Sequence, residues 1–216
     1  MIGLQNGDEP QVLVENAERW TGEYKSWRKT RHGNEPRRYA HEEIRETLRE
    51  ETFGKCAYCE SQIGHVSYEN VEHKKPKSKV PELVCTWTNL TVACPRCNVN
   101  KGDYHDEQCP ILDPYVDDVE TEIEFVGPLA LPRGGPTARV SINVLQLNRK
   151  NLVSARLEAL KGIELMVDSM QRTPDQTLRK AIWSEIALRM KPDAEFAAMV
   201  RDFVDDRKLK AGLSPP

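Results

Sequence analysis

The sequence has no long hydrophobic run, few aromatic residues and little net charge. No apolar stretch approaches the ~20 residues that a membrane-spanning helix needs, and aromatic residues make up 6% of the 216 residues. The first residues lack a basic stretch followed by an apolar one, so the sequence predicts no signal peptide. The formal net charge of −3 does not by itself indicate a nucleic-acid-binding protein. These absences predict a cytoplasmic protein with a hydrophobic core of modest size.

The charges are, however, unevenly distributed along the chain. Six cations and one acid lie between Lys25 and Arg38, and four lysines lie between Lys74 and Lys79. Nine acids and no Lys or Arg lie between Asp103 and Glu124, which we call the acidic segment. Such runs are often plain solvated surface. As a hypothesis, the acidic segment repels DNA from part of the surface, or occupies a basic site until a partner displaces it.

Apolar periodicity predicts helices at both ends of the chain. Apolar residues recur at spacings of three and four from Leu13 to Trp27, and a second short helix is predicted around 41–51. Further helices are predicted over 153–170, over 178–190 and from Lys191-Pro192-Asp193 onward. A Gly- and Pro-rich connector at 127–136 precedes a predicted strand at 139–144.

The middle of the chain has a different character. Residues 53–112 contain all six cysteines, scattered prolines and only short apolar stretches. A segment that can bury so little apolar surface needs a metal to hold it. We therefore predict an α+β protein, mainly helical, around a small zinc-stabilised ββα core. Its predicted parts are a helical segment with a basic patch (1–52), the core (53–112), and an acidic connector, short strand and C-terminal helices (113–216).

Four of the cysteines form two C-x-x-C pairs that are separated by 34 residues. Two such turns can present four thiolates to one tetrahedral zinc ion, which is then closed to water and structural. A redox pair and an iron–sulfur cluster are the alternatives. The other two cysteines lack a partner at ligand spacing and are predicted to be buried free thiols. The predicted ligands are Cys56, Cys59, Cys94 and Cys97, and the free thiols are Cys85 and Cys109.

A second group of polar residues lies between and just after the two cysteine pairs. His73, with an ordinary pKa near ~6.5, suits a neutral general base at cellular pH. Glu72 and Asn98 offer oxygen ligands, which a hard cation such as Mg2+ or Mn2+ prefers. Lys101, with Lys74 or Lys77, could hold a phosphate backbone. This combination of groups is what hydrolysis of a phosphodiester requires.

The stretch resembles the HNH nuclease family. The resemblance rests on about 50 residues: Cys56-x-x-Cys59, Glu72-His73, Lys77, Asn89-Leu90, Cys94-x-x-Cys97-Asn98 and Lys101-Gly102. It implies two antiparallel strands and a helix around one catalytic metal. It also implies that His73 is the base, that Glu72 and Asn98 bind the metal, and that Asn89 fixes the imidazole and its loop.

Two positions depart from the commonest family pattern. Asn98 stands where a histidine is usual, an H-N-N variant that favours Mg2+, and Glu72 stands where aspartate is common. Asn100 is an alternative ligand to Asn98. The remaining histidines lack such a context and are predicted to be surface residues; they are His32, His41, His65 and His105.

A narrower resemblance extends from about Phe53 to Arg156. Its motifs are similar to those of the HNH effectors of Septu and retron-type anti-phage systems: Pro81-Glu82-Leu83, Ile111-Leu112-Asp113-Pro114 and Leu145-x-Leu147-Asn148-Arg149. This resemblance implies a partner ATPase of the ABC type. DNA is the predicted substrate, and RNA, including transfer RNA, is the alternative. The competing interpretations are a non-catalytic zinc module that binds nucleic acid or protein, and a restriction or homing nuclease, for which no recognition domain is visible.

Overall fold

The computed structural model of the protein describes residues 1–64 and 70–211. His65, predicted to be a surface residue, lies outside the described residues. Within that part of the chain, no helix has both the length and the apolar character needed to cross a bilayer. The predicted α+β class is confirmed, because the described residues form helices and small antiparallel sheets. The helices are α1 (Gln11–Thr30), α2 (Glu42–Glu51), α3 (Pro95–Lys101), α4 (Val119–Glu122), α5 (Pro136–Val144), α6 (Lys150–Arg172), α7 (Gln176–Arg189) and α8 (Ala197–Ala211); the strands are β1 (Asn70–His73), β2 (Leu90–Ala93), β3 (Ile123–Val126) and β4 (Leu129–Pro132).

The N-terminal segment consists of two helices, as the apolar spacing predicts. α1 buries Leu13, Trp20 and Tyr24 along one face and ends where Arg31 takes a left-handed conformation. The His41 side chain accepts a hydrogen bond from the Glu43 backbone at the start of α2. A side-chain acceptor at this position satisfies a backbone N–H that the helix itself cannot pair.

The centre of the molecule is a two-stranded sheet covered by one short helix. β1 and β2 are antiparallel, with Glu72 opposite Thr91 and His73 opposite Leu90. Every residue of β2 is buried. α3 follows β2 directly; Cys94 caps its N-terminus and Pro95 occupies the first turn, where proline is favoured. This ββα unit places Glu72, His73 and the first turn of α3 on adjoining elements.

The C-terminal half packs against this unit through helices and a hairpin. α6 buries one face that is apolar except for Arg156. α7 returns along α6 after a turn in which Asp175 caps the new helix. The hairpin of β3 and β4 packs on α8. Buried residues from the N-terminal, central and C-terminal parts belong to one hydrophobic cluster.

Three sequence predictions in this half are wrong. Residues 139–144, predicted as a strand, lie in α5, because Ala138, Ser141, Ile142 and Leu145 are buried at helical spacing. The predicted connector at 127–136 contains the hairpin turn and β4. The last helix begins at Ala197 rather than near Lys191, after a turn in which Phe196 has a φ of 56°.

Candidate active site

The four predicted ligand cysteines come together in one cluster. One sulfur atom from each of Cys56, Cys59, Cys94 and Cys97 lies within 4.8 Å of all the others. The Cys59 and Cys94 sulfurs are 3.9 Å apart. A tetrahedral zinc ion with Zn–S bonds of ~2.3 Å needs sulfurs roughly 3.8 Å apart. The donor set therefore fits a four-thiolate metal site, and no position in that set is left for a reacting molecule.

A positively charged side chain from the C-terminal half lies against the cysteine cluster. The Arg149 guanidinium lies 3.7 Å from the Cys97 sulfur and 3.9 Å from the Cys94 sulfur. Four thiolates around a divalent ion leave a net charge of −2, which this cation partly offsets. The preceding Asn148 fixes the loop by bonding both the N–H and the carbonyl of Ala130 at 2.8 Å. The Leu147-Asn148-Arg149 motif thus has a structural role beside the metal cluster.

Three of the four predicted catalytic residues line one cavity of about 420 Å³. The fourth, Asn89, and the predicted nucleic-acid-binding Lys74 are not in its lining. Its walls come from β1, the loop after β1, α3 and the segment between α1 and α2. Among the residues predicted from the sequence, those in the lining are Glu72, His73, Lys77, Asn98 and Lys101.

His73 is held in a defined orientation at the end of β1. Its Nε2 atom is 3.0 Å from the Val84 carbonyl oxygen. Because a carbonyl can only accept, Nε2 carries the hydrogen, and Nδ1 keeps the lone pair that can take a proton. The side chain is 6% exposed, and burial lowers the pKa of His73 to about 4, with Lys77 and Lys101 acting in the same direction. The imidazole is therefore neutral at cellular pH and can act as a base.

Glu72 and Lys101 form a buried ion pair beside the base. The Lys101 ammonium lies 2.6 Å from Glu72 Oε1 and donates to the His73 carbonyl at 2.7 Å. Burial raises the pKa of Glu72, and the positive charge of Lys101 opposes that rise. Lys101 is 3% exposed, so in this arrangement it fixes Glu72 and the backbone of His73. Glu72 lines the cavity, and a carboxylate has a second oxygen with which to bind a cation.

The two asparagines of α3 point to different places. Asn98 lines the cavity together with Glu72. Asn100 donates its side-chain amide to the Leu145 carbonyl at 3.1 Å. The geometry therefore favours Asn98 over Asn100 as the second oxygen ligand.

Asn89 ties together the backbone segments that flank His73. Its side chain accepts from the Lys75 N–H at 2.8 Å and donates to the carbonyls of Lys75 and Leu83, each at 3.1 Å. Leu83 immediately precedes Val84, whose carbonyl meets the His73 ring. Asn89 is 5% exposed. The buried Asn89 amide thus fixes two backbone segments. One is the loop that follows His73, and the other is the segment whose Val84 carbonyl orients the His73 ring.

The two basic patches of the sequence adjoin in the structure. Tyr24 and Arg28 of α1 both donate to the Lys77 carbonyl, at 3.5 and 3.3 Å. The Lys77 ammonium pairs with Glu35 at the cavity wall. Lys74 faces the other way, 2.8 Å from Asp113 and over the ring of Tyr115. Lys77 is therefore the lysine of this group that borders the cavity, beside the exposed Arg37.

Among the wall residues that were not predicted as site residues, three come from the segment between α1 and α2: Glu35, Arg37 and Tyr39. Tyr39 is 3% exposed and meets the His73 ring edge-on. These residues precede the cysteine motifs by about 20 residues, and the sequence offers only the basic run at 25–38 as a signal. Their place beside His73 results from tertiary packing.

Most of the acidic segment faces away from the cavity. Asp103 lines it and lies 3.4 Å from Lys79. Glu120 pairs with Arg201 at 2.7 Å, and Asp117 accepts a hydrogen bond from the Asp113 backbone. Among the described residues of the cavity lining, Asp103 is the one that the acidic segment supplies.

Comparison with known proteins agrees with this geometry. Residues 56–104 match the family model described as HNH endonuclease. Most of the chain is similar to the Septu protein PtuB of Bacillus thuringiensis, with 26% identity over 216 residues, 93% of this chain and 80% of that protein. A second relative, the Septu protein PtuB of Bacillus mycoides, is 30% identical over 159 residues, 59% of this chain and 54% of that protein. The predicted resemblance to HNH nucleases and Septu effectors is confirmed.

Proposed function

We propose that this protein is a metal-dependent endonuclease that hydrolyses phosphodiester bonds in DNA. The observation that carries the proposal is the setting of His73. It is a buried, neutral imidazole with Nε2–H on a carbonyl, and it shares one cavity with Glu72 and Asn98. A zinc module that only binds nucleic acid or protein has no need of such a base.

The residues of the chain suggest how the reaction proceeds. His73 Nδ1 takes a proton from a water molecule, and the resulting hydroxide attacks phosphorus. The bond from phosphorus to the departing oxygen breaks, and that oxygen leaves with its electron pair and is then protonated by solvent. Lys77 at the cavity wall holds the phosphate by its charge, while Lys101 keeps Glu72 in place.

Glu72 and Asn98 would hold the catalytic cation. Two oxygen donors suit Mg2+ or Mn2+, since Mg2+ usually keeps several water ligands of its own. When bound, such an ion supplies Lewis-acid stabilisation of the charge on the departing oxygen. The four-cysteine cluster would hold Zn2+ as a structural ion. Thiolate sites of this kind persist where thiols stay reduced, which fits a cytoplasmic location.

The Septu relatives support a role in anti-phage defence. We propose that the protein is the nuclease effector of such a system and that it acts with an ABC-type ATPase as partner. The cations at the cavity wall, Lys77 and Arg37, suit contacts to the nucleic-acid backbone better than contacts to bases. RNA, including transfer RNA, is the alternative substrate.

The proposal is tested by cleavage of plasmid DNA and bulk transfer RNA. We expect the purified protein, alone or with the proposed ATPase partner, to cut with Mg2+ or Mn2+. A brief exposure to EDTA should stop the cleavage. Asn98→Ala should lose at least about tenfold in rate at limiting Mg2+ and recover part of it at high Mg2+. Asn100→Ala is the matched control and should keep its Mg2+ dependence. Nucleic-acid binding without cutting under every condition would favour the non-catalytic module.

The pH dependence of kcat/KM gives a separate expectation. An exposed histidine loses its base form as the pH falls through ~6.5. Burial lowers the pKa of His73 to about 4. Its base form therefore persists at pH values well below the ~6.5 at which an exposed histidine is half protonated. We expect the acid limb of kcat/KM to have its midpoint at least about one unit below 6.5. Zinc content is measured at each pH, and a midpoint near ~6.5 with zinc retained would contradict the buried base.

A further inference from the structure

Tyr39 contacts the candidate base from outside the HNH domain. It lies in the short 3-10 helix Arg38–Ala40 between α1 and α2, whereas the family match begins at residue 56. Its ring centroid is 4.6 Å from that of His73, and the two ring planes are inclined by 79°. This is the edge-to-face arrangement that aromatic pairs prefer.

The hydroxyl of the same residue contacts the lysine at the cavity wall. The Lys77 ammonium donates to the Tyr39 oxygen at 2.6 Å, and the hydroxyl donates to Glu35 Oε1 at 3.1 Å. Lys77 also binds Glu35 directly. The ammonium, the phenol and the carboxylate therefore form a triangle of three hydrogen bonds, which leaves the third N–H of the ammonium for another acceptor.

Both contacts restrict motions that would weaken the site. A half turn of the imidazole about its Cβ–Cγ bond would exchange Nδ1 with Cδ2 and Nε2 with Cε1, and would break the Nε2–H bond to the Val84 carbonyl. The packed ring of Tyr39 opposes that turn. A lysine side chain has four flexible carbons and loses much rotamer freedom when its ammonium is fixed. Tyr39 is 3% exposed, so its own position is set by packing.

We propose that Tyr39 is a positioning residue for both halves of the site: its ring orients His73, and its hydroxyl places Lys77 at the phosphate. This inference rests on the proposed nuclease function. It assigns to the helical N-terminal segment a part in the reaction that the HNH domain alone does not supply.

Two substitutions separate the ring from the hydroxyl. Tyr39→Phe keeps the ring and removes the hydroxyl, so we expect KM to rise about three- to tenfold with kcat within about twofold of wild type. Tyr39→Leu removes both contacts, and we expect kcat to fall by about tenfold or more as well. Combined with Lys77→Met, Tyr39→Phe should raise KM no further, because the hydroxyl acts through that lysine.

The control is Tyr104→Phe, which removes a hydroxyl that donates to the Cys109 carbonyl at 2.8 Å, outside the cavity. It should leave kcat and KM unchanged, and melting temperature and zinc content are recorded for every variant. Wild-type kinetic constants in Tyr39→Phe, or full kcat in Tyr39→Leu, would overturn the proposal.

A measurement without substrate keeps the two proposals apart. The Nε2–H of His73 should give a slowly exchanging proton resonance, identified by its absence from His73→Gln. We expect the signal to persist in Tyr39→Phe and to be lost in Tyr39→Leu. Its persistence in Tyr39→Leu would show that the ring does not orient His73. A wild-type protein that is inactive, although the signal persists in Tyr39→Phe and is lost in Tyr39→Leu, would contradict the nuclease function. That result would leave the contact between the Tyr39 ring and His73 supported.

Discussion

The His73→Ala protein is expected to cut nucleic acid at about 10²- to 10⁴-fold below the wild-type rate, the range that general bases contribute. The loss follows from chemistry at Nδ1, the ring nitrogen left with a lone pair when Nε2–H binds the Val84 carbonyl. Affinity for the uncut substrate should stay within about threefold of wild type, because phosphate binding depends on cations. Cleavage rate and equilibrium binding are measured on the same preparation.

His73→Gln and His105→Ala make this test specific. Gln at position 73 can still donate to the Val84 carbonyl and nearly fills the space, but it cannot take a proton at neutral pH. It should be as inactive as the alanine variant, without the cavity that alanine leaves in the core. His105 lines a different cavity, and its replacement should leave the rate unchanged. Cutting by His73→Gln at the wild-type rate would place the base elsewhere.

Loss of a single zinc ligand should unfold the centre of the protein. Binding of structural zinc contributes roughly 10–16 kcal/mol in small zinc domains, which equals or exceeds the total stability of most domains. Cys97 is fully buried, and both C-x-x-C pairs flank β1, β2 and the start of α3. We expect Cys97→Ser to lose its zinc, to show no cooperative thermal transition for this region, and to be inactive.

Cys109→Ser is the matched control for that variant. Cys109 lies outside the four-cysteine cluster and is only partly buried. The change should leave the zinc content at one ion per chain and shift the melting temperature by no more than a few degrees. A Cys97→Ser protein with unchanged zinc content and melting temperature would show that the cluster does not hold a structural metal.

The sequence predicted the parts of the site that depend on local spacing. A C-x-x-C turn brings its two sulfurs together whatever surrounds it, and Asn98 follows Cys97 directly, so its place at α3 follows from the metal cluster. The contacts of Tyr39 and Arg149 could not be predicted, because each depends on packing between segments far apart in the chain. Lys101 was expected to meet phosphate and instead lies buried against Glu72.

The fold was predictable where one apolar period dominates. α1 and α6 have long stripes at helical spacing, and both form as predicted. Residues 138–145 satisfy two periods at once: Val140, Ile142 and Val144 alternate as in a strand, while Ala138, Ser141, Ile142 and Leu145 repeat as in a helix. Pro136 in the first turn and burial of the second set decide for the helix. The choice between helix and strand for these residues depends on tertiary contacts, which the local sequence pattern does not specify.

The contact of Arg149 with the cysteine sulfurs bears on whether the stretch that matches the HNH model can be moved between proteins. The residues that match the HNH model end at 104, yet the charge on the thiolates is offset by a side chain 45 positions later. A fragment of residues 56–104 moved into another protein would carry the four cysteines without the positive charge of Arg149. It would also lack the buried Leu145 and Leu147 that precede Arg149. A working graft must therefore include the stretch through Arg149, and recombination events that divide the gene between 104 and 149 should be selected against.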